Sequence, residues 1–419
     1  MRKFSALLVV VLLASLFQTS FAAKREVLMW SFAANNVEEW KARQAEIEQK
    51  FDIALKIELV AQDAFVQKLQ AVMMDGKGVP DIIEWMIENN RILNADPKKS
   101  FVLPLNDYVA KSEVFKKVVP GRVAWVKYGG NVYGLPHDVH PVILIYNDTL
   151  WKKVGVDVAK IKTWDEFFAA AKKLIKEKKD GKPVNYALPS SNGGLGDTMF
   201  MIWQTTGSQI LDKSGKPTFT SPDFVAYVKK WKAWYDSGVF TAWDWGNFSA
   251  LLKNGTLCSY TSPDWWVSQS DAASEVYAMR VRDLPLYKKG GPNTASWGGS
   301  FLAIPKGTKD ADTVYKIIEY MQYDKGAIKL AYEKTGMLRP LPDAWDDPVF
   351  NKPDKRFGGQ KLAQLQIKLA KVMPAVNTGD VFWDIINDFN EQYSKIMTGE
   401  VSVEDGLKAA QEKAMKRVQ

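Results

Sequence analysis

Sixteen tryptophans stand in this chain of 419 residues, and their placement matters more than their number. Trp30, Trp85, Trp243, Trp245, Trp265, Trp266, Trp297 and Trp383 fall in loops or at predicted element ends, beside polar residues. Trp40, Trp231 and Trp234 instead recur at helical spacing among lysines and read as packing residues. An indole offers a broad apolar face and a single N–H donor. A saturated, polyhydroxylated ring offers axial C–H groups to such a face and hydroxyls to polar neighbours. Tryptophans set among carboxylates and amides therefore suit a neutral polyhydroxy compound. Glu84 and Asp138 lie at predicted strand exits, Asn35 follows the first strand, Asp197 opens a helix after Gly193-Gly194, and Asp264 immediately precedes Trp265-Trp266. A charged acceptor bonds a hydroxyl with about 1.5–3 kcal/mol. Two or three such bonds with stacking reach the roughly 8 kcal/mol of micromolar binding after ordering costs. Each residue also has a plainer reading: core packing for a tryptophan, an exposed strand end for Glu84, a helix-dipole partner for Asp197.

His137 and His140 are the only histidines and share one loop. The His-x-x-His spacing invites a metal, but with no third histidine and a single cysteine, Cys258, the chain lacks the donors of a transition-metal site. His137 and Asp138 read instead as hydrogen-bonding contacts to hydroxyls, since either imidazole nitrogen serves. Arg339 would bond hydroxyls or pair with an acid across a cleft. Gly298, beside Trp297, permits close backbone approach or a positive φ. No catalytic residue and no cofactor is assigned. Glycoside hydrolysis needs two carboxylates at a defined separation, which a sequence does not display.

The elements that must hold these groups follow from periodicity. Strands are predicted at 26–32, 56–60 and 80–85, with amphipathic helices at 37–51 and 63–74 between them. Strand, helix, strand, helix, strand implies a mostly parallel sheet with helices on both faces, and ligands of such sheets sit beyond the carboxyl ends of the strands. Residues 129–174 carry the next signal. An apolar strand at 142–146 follows Pro136 and Pro141, a short helix at 149–154 stops at Gly155, and Thr163 with Glu166 has the form of a capping box. The pattern then repeats, with helices at 196–206, 221–237, 247–253, 309–322 and 381–397 and strand-like runs at 256–260, 277–281 and 296–305.

The stretch 133–166 resembles the segment by which family 1 extracellular solute-binding proteins of ABC importers pass from one lobe to the other. Tyr133-Gly134-Leu135-Pro136, Ile145-Tyr146-Asn147 and Thr163-Trp164-Asp165-Glu166 stand in its motif positions, with Lys162 where a proline is usual. SWGGSFLAIP at 296–305 resembles that family's second crossing. GMLRPLP at 336–342 resembles the third, with Arg339 where proline is common. The ending around Gly399 and Glu404-Asp405-Gly406-Leu407 resembles its final helices. The resemblance covers nearly all of the chain after residue 23. It implies a periplasmic-binding-protein-like α/β fold with a cleft between two discontinuous lobes, 23–139 plus 299–340 and 140–298 plus 341–419. It further implies a monomeric, non-catalytic receptor that captures a carbohydrate by hinge closure and hands it to ABC permease subunits. In such receptors Trp265 or Trp266, and Trp383, hold positions of aromatic stacking residues. A cyclitol or sugar acid in the same fold, and a secreted carbohydrate-active enzyme, remain as alternatives.

The whole chain is consistent with that picture. Arg2 and Lys3, an apolar run at 6–17, and small residues at 20 and 22 form a secretory leader cut after Ala22. The run is too short for the about 20 residues of a membrane span. The remaining length exceeds what one core supports. A secreted chain without disulfides relies on its core, and 46% apolar and 12% aromatic residues supply one. Removing Arg2 and Lys3 takes the formal charge from +8 to about +6, spread over lysines interrupted by acids, which argues against nucleic acid as a partner.

Overall fold

The computed structural model describes residues 24–88, 94, 96–191, 193–379 and 381–418, so the leader lies outside the described residues. Eight strands build two main sheets: β1 (Arg25–Ser31), β2 (Ile53–Leu59), β3 (Ile82–Met86), β4 (Leu135–Pro136), β5 (Ile143–Asn147), β6 (Ser259–Ser262), β7 (Met279–Arg282) and β8 (Ser300–Ala303). The first sheet runs β2-β1-β3-β8-β4. β1 pairs in parallel with β2 and β3, while β8 returns from far along the chain to lie antiparallel to both β3 and β4. The predicted strand–helix alternation is present, with α1 (Ala34–Phe51) and α2 (Gln62–Asp75) between the strands. Asp52 and Gly76 end these helices in the left-handed conformation, their N–H groups returning to Glu48 and Val72 carbonyls.

The second sheet departs from the expected repetition. Its order is β6-β5-β7, and both neighbours are antiparallel to the central strand. All five residues of β5 are buried, as a central strand of Ile, Leu and Tyr requires. Beyond it the predicted capping box forms: the Thr163 hydroxyl accepts from the Glu166 N–H, and the Glu166 carboxylate accepts from the Thr163 N–H, starting α3 (Trp164–Ala171). Further helices include α4 (Thr198–Gln204), capped by Asp197, and α5 (Phe382–Thr398), which Gly399 terminates. Cys258 is buried, and burial pushes its thiol up to about 12, as suits an inert packing residue.

Three chain segments run between the sheets and are stitched to one another. The first joins β4 to β5, the second joins β7 to β8, and the third passes through Met337–Pro340. The N–H of Val139 donates to Leu338 O at 3.1 Å, that of His137 to Ser300 O at 3.0 Å, and that of Val142 to Ala295 O at 2.9 Å. These crossings form the floor of the space between the sheets.

Candidate ligand-binding cleft

A cavity of about 630 Å³ opens above that floor. One wall comes from the first sheet. Phe32 and Ala33 follow β1, Asn35 and Asn36 lie in the first turn of α1, Gln62 starts α2, and Met86 and Glu88 lie at the exit of β3. These are the carboxyl ends of parallel strands, where open α/β sheets receive ligands. The floor carries Asp138 and His140 from the first crossing, Trp297, Gly298 and Gly299 from the second, and Met337 from the third.

The opposite wall is aromatic. Trp243, Trp245, Trp265 and Trp266 line the cavity beside Gly196 and Asp197. Trp265 and Trp266 stack with centroids 5.6 Å apart and planes at 18°, while Trp243 and Trp245 meet edge to face at 5.2 Å and 80°. Phe248 backs Trp266 at 4.5 Å. Two of the N–H groups are engaged away from a ligand: Trp243 Nε1 donates to Ser190 O at 2.7 Å and Trp265 Nε1 to Trp297 O at 3.2 Å, whereas the buried Trp266 Nε1 has no partner among the described residues. What Trp243 and Trp265 offer the cavity is apolar surface. Trp245 is 65% exposed and stands at the rim.

Beneath the floor lies a buried network of charge. Arg122 donates from Nη2 to Asp138 Oδ1 at 2.9 Å, from Nε to Asp138 O at 2.9 Å, and from Nη1 to Ser296 Oγ and Gly298 O at 3.1 and 3.3 Å. His140 Nε2 is 2.8 Å from Asp138 Oδ2, and its Nδ1 bonds Asp264. Asp264 also accepts from the Leu338 N–H at 3.0 Å. Burial disfavours charge on His140, yet Asp138 and Asp264 outweigh it and raise the imidazole to about 9. Burial likewise opposes the Asp138 carboxylate, and His140, His137 and Arg122 hold it well below the usual range. His140 adopts φ of +50°, uncommon for a side chain of its size. Gly299 has φ of +124°, and a Cβ there would lie 1.9 Å from Arg122 Nη2, so only glycine admits the guanidinium.

The structure brings together Asn35, Asp138, Asp197, Trp243, Trp245, Trp265, Trp266, Trp297 and Gly298 around the cavity, and leaves the other sequence candidates out of its lining. Trp30 and Trp85 are 2% and 1% exposed and pack edge-on against Phe65 of α2, inside a sheet covered on both faces. Glu84 is fully buried and accepts from Ser31, Asn36 and Ser300 side chains, so it organises the wall without lining it. Asp264 serves His140 and Leu338. Arg339 takes the ion-pair option: its Nη2 reaches both oxygens of Glu39 at 2.5 Å, and its Nη1 donates to the His137 carbonyl and Nδ1 at 2.8 Å. His137 is thereby sealed under the floor. Trp383 stands one layer back, with its edge toward Trp297 at 5.8 Å and its Nε1 donating to Ile87 O at 2.7 Å.

Sequence reasoning missed Asn36, Gln62, Glu88, His140, Gly299 and Met337 among the lining residues. Asn36 and Gln62 begin helices that follow strands, and Glu88 lies just past a strand, so the rule of strand carboxyl ends contained the signal for all three. Arg122 carried none, because its partners arrive from 16 to 176 residues away.

An α/β molecule of two sheets, joined by three crossings and enclosing an aromatic cleft at its strand ends, is a two-lobed ligand receptor by construction. The chain belongs to the bacterial extracellular solute-binding protein family, whose model matches residues 42–358. Membership makes it an extracytoplasmic solute-binding protein. It is similar to the arabinooligosaccharide-binding protein of Halalkalibacterium halodurans, at 23% identity over 413 residues covering 92% of this chain and 88% of that protein. It is also similar to the arabinooligosaccharide-binding protein of Bacillus subtilis, at 24% over 345 residues covering 80% and 77%. Among solved structures, the sugar-binding protein MalE of Xanthomonas citri shares the fold with a TM-score of 0.76 at 19% identity, covering 94% of this chain and 97% of that one.

Proposed function

We propose that this protein captures a carbohydrate, a monosaccharide or small oligosaccharide, and delivers it to the permease of an ABC importer. The observation that carries the reading is the pairing of walls: tryptophan faces on one side of the cleft, and amide and carboxylate acceptors on the other. A sugar presents the same two surfaces. The names of the relatives support it, since both are called arabinooligosaccharide-binding proteins. In this reading the lobes are 23–139 with 299–340 and 140–298 with 341–419. They close over the ligand about the three crossings, which excludes water and strengthens each hydrogen bond. The leader is cleaved after Ala22, and the mature protein acts as a monomer.

The same geometry weighs against hydrolysis. Asp138 is locked by Arg122 and His140, and Asp197 accepts from the Ser191 hydroxyl at 2.7 Å while capping α4. Among the described lining residues that leaves Glu88, where glycoside hydrolysis needs two working carboxylates. The test is calorimetric titration and thermal shift of the mature protein against pentose and hexose oligosaccharides, with chromatography of the recovered ligand. Saturable binding of intact sugar supports the proposal. Absence of binding to every sugar, or consumption of the sugar, refutes it.

A further inference from the structure

A single exposed apolar side chain on a protein surface needs no explanation. Trp245 differs from the others by its place. Among the described residues the remaining large exposed hydrophobics are Leu59, Met74, Tyr235, Val276 and Val372, and of these side chains Trp245 alone lines the cleft. Part of its indole rests on the interior aromatic wall, with centroids 5.2 Å from Trp243, 5.5 Å from Trp266 and 6.2 Å from Trp265. At 65% exposure, the remainder of the residue faces water.

The chain around the ring is built to hold it there. Asp244 Oδ1 accepts from the N–H groups of Gly246 and Asn247 at 2.8 and 3.0 Å, and Asp244 Oδ2 accepts from Asn247 Nδ2 at 2.7 Å. Asn247 Oδ1 accepts in return from the Asp244 N–H at 3.0 Å. Both side chains thus spend their acceptors within the turn, and what the turn presents outward is the indole. The helix that follows, Phe248–Lys253, starts on a fully buried Phe248 packed against Trp266. Its Ser249 Oγ donates to Gln269 O at 3.1 Å, which ties it to the segment carrying Trp265 and Trp266. A turn fixed in this way leaves little ordering cost for a ligand that stacks on Trp245.

A single ring seated on the interior tryptophans leaves the outer face of Trp245 in water. A chain of rings running out past the rim covers it. We infer that the cleft takes an oligosaccharide whose outermost ring lies at the rim on Trp245, and that Trp245 sets the preference for chain length. This rests on the carbohydrate reading above and adds to it the residue that reads ring number.

The test is calorimetric titration of wild type, Trp245→Ala and Trp245→Tyr with the mono-, di-, tri- and tetrasaccharides of glucose, galactose, mannose, xylose and arabinose. Members too weak for direct titration are measured by competition against a tighter one. In wild type, one added ring should raise affinity by about tenfold, the gain from taking roughly 60 Å² of apolar surface out of water. Trp245→Ala should abolish that step and leave shorter members within about twofold, because they rest on a different surface. Trp245→Tyr, which restores an aromatic face, should recover most of the step. Affinity that does not rise with ring number overturns the inference and leaves the carbohydrate reading standing. So does a rise that the alanine variant keeps, or a loss spread evenly over short and long members, which would make Trp245 a support of the interior wall. If no sugar of any length binds, the carbohydrate reading falls and the inference with it.

Discussion

Raising the pH should loosen the floor of the cleft through one residue, His140. Its imidazole is raised from 6.5 to about 9 because two carboxylates overcome its burial. A histidine whose folded pKa exceeds its unfolded value contributes stability that is fully present below 6.5 and lost as pH climbs through about 9. The shift corresponds to about 3 kcal/mol. Glu88 overlaps only the lower edge of this window: its raised carboxyl goes on lowering stability until pH passes about 7, a loss of under about 1 kcal/mol above pH 6.5. The control is His140→Asn, because asparagine tolerates the positive φ of +50° at this position. At pH 6.5 the variant should be less stable by about 3–5 kcal/mol, the cost of leaving buried carboxylates without their cation. Urea denaturation at constant ionic strength from pH 6.5 to 9.5 measures both. Wild type should lose about 3 kcal/mol across the window while the variant changes little, so the gap narrows. A flat wild-type profile, or a variant that falls in parallel, would refute the assignment of charge to His140.

Other perturbations separate packing from binding. Trp266→Ala should destabilise by about 3–5 kcal/mol, since Trp266 is 1% exposed and backed by Phe248; Trp245→Ala, at 65% exposure, should leave stability within about 0.5 kcal/mol and register only in sugar affinity, by calorimetry. Gly299→Ala drives a Cβ to 1.9 Å from Arg122 Nη2, and should lower the urea midpoint by the equivalent of at least about 2 kcal/mol. Arg339→Met strands Glu39 in the core and should cost about 3–5 kcal/mol, most of it restored in the double variant Arg339→Met/Glu39→Leu. A double-mutant cycle with no coupling would show the pair to be incidental.

What the sequence disclosed was local. The α1 and α2 spans, the Thr163–Glu166 capping box and the Asp197 cap all depend on residues within a few positions of one another, and they appear where periodicity put them. The tryptophan wall was also legible, because Trp243, Trp245, Trp265 and Trp266 lie in irregular segments beside breakers. Trp30 and Trp85 misled for a physical reason. Each lies one residue short of the end of its strand, β1 at Ser31 and β3 at Met86, and turns into the core against Phe65, a long-range contact that no local pattern displays. β3 ends at Met86, one residue beyond the predicted end, so Glu84 lies inside the strand as a core acceptor and Glu88, just past it, lines the cavity. Arg339 with Glu39, 300 positions apart, leaves no trace that a single sequence can show.

The charged floor constrains how the lobes can move. Each crossing contributes to one network: Asp138 and His140 from the first, Ser296 and Gly298 from the second, the Leu338 amide and Arg339 from the third. Breaking one of its ion pairs would leave a buried charge unpaired, at about 3–5 kcal/mol, comparable to much of the binding energy a micromolar ligand supplies. Opening and closing that kept to that energy must therefore preserve the network and turn the lobes about it, with backbone rotation falling on the residues flanking it. Gly298 and Gly299, both at positive φ, belong to the network and hold Arg122, so such a rotation falls outside them. The same cluster that carries the floor of the cleft thus acts as the fixed point about which the cleft would shut.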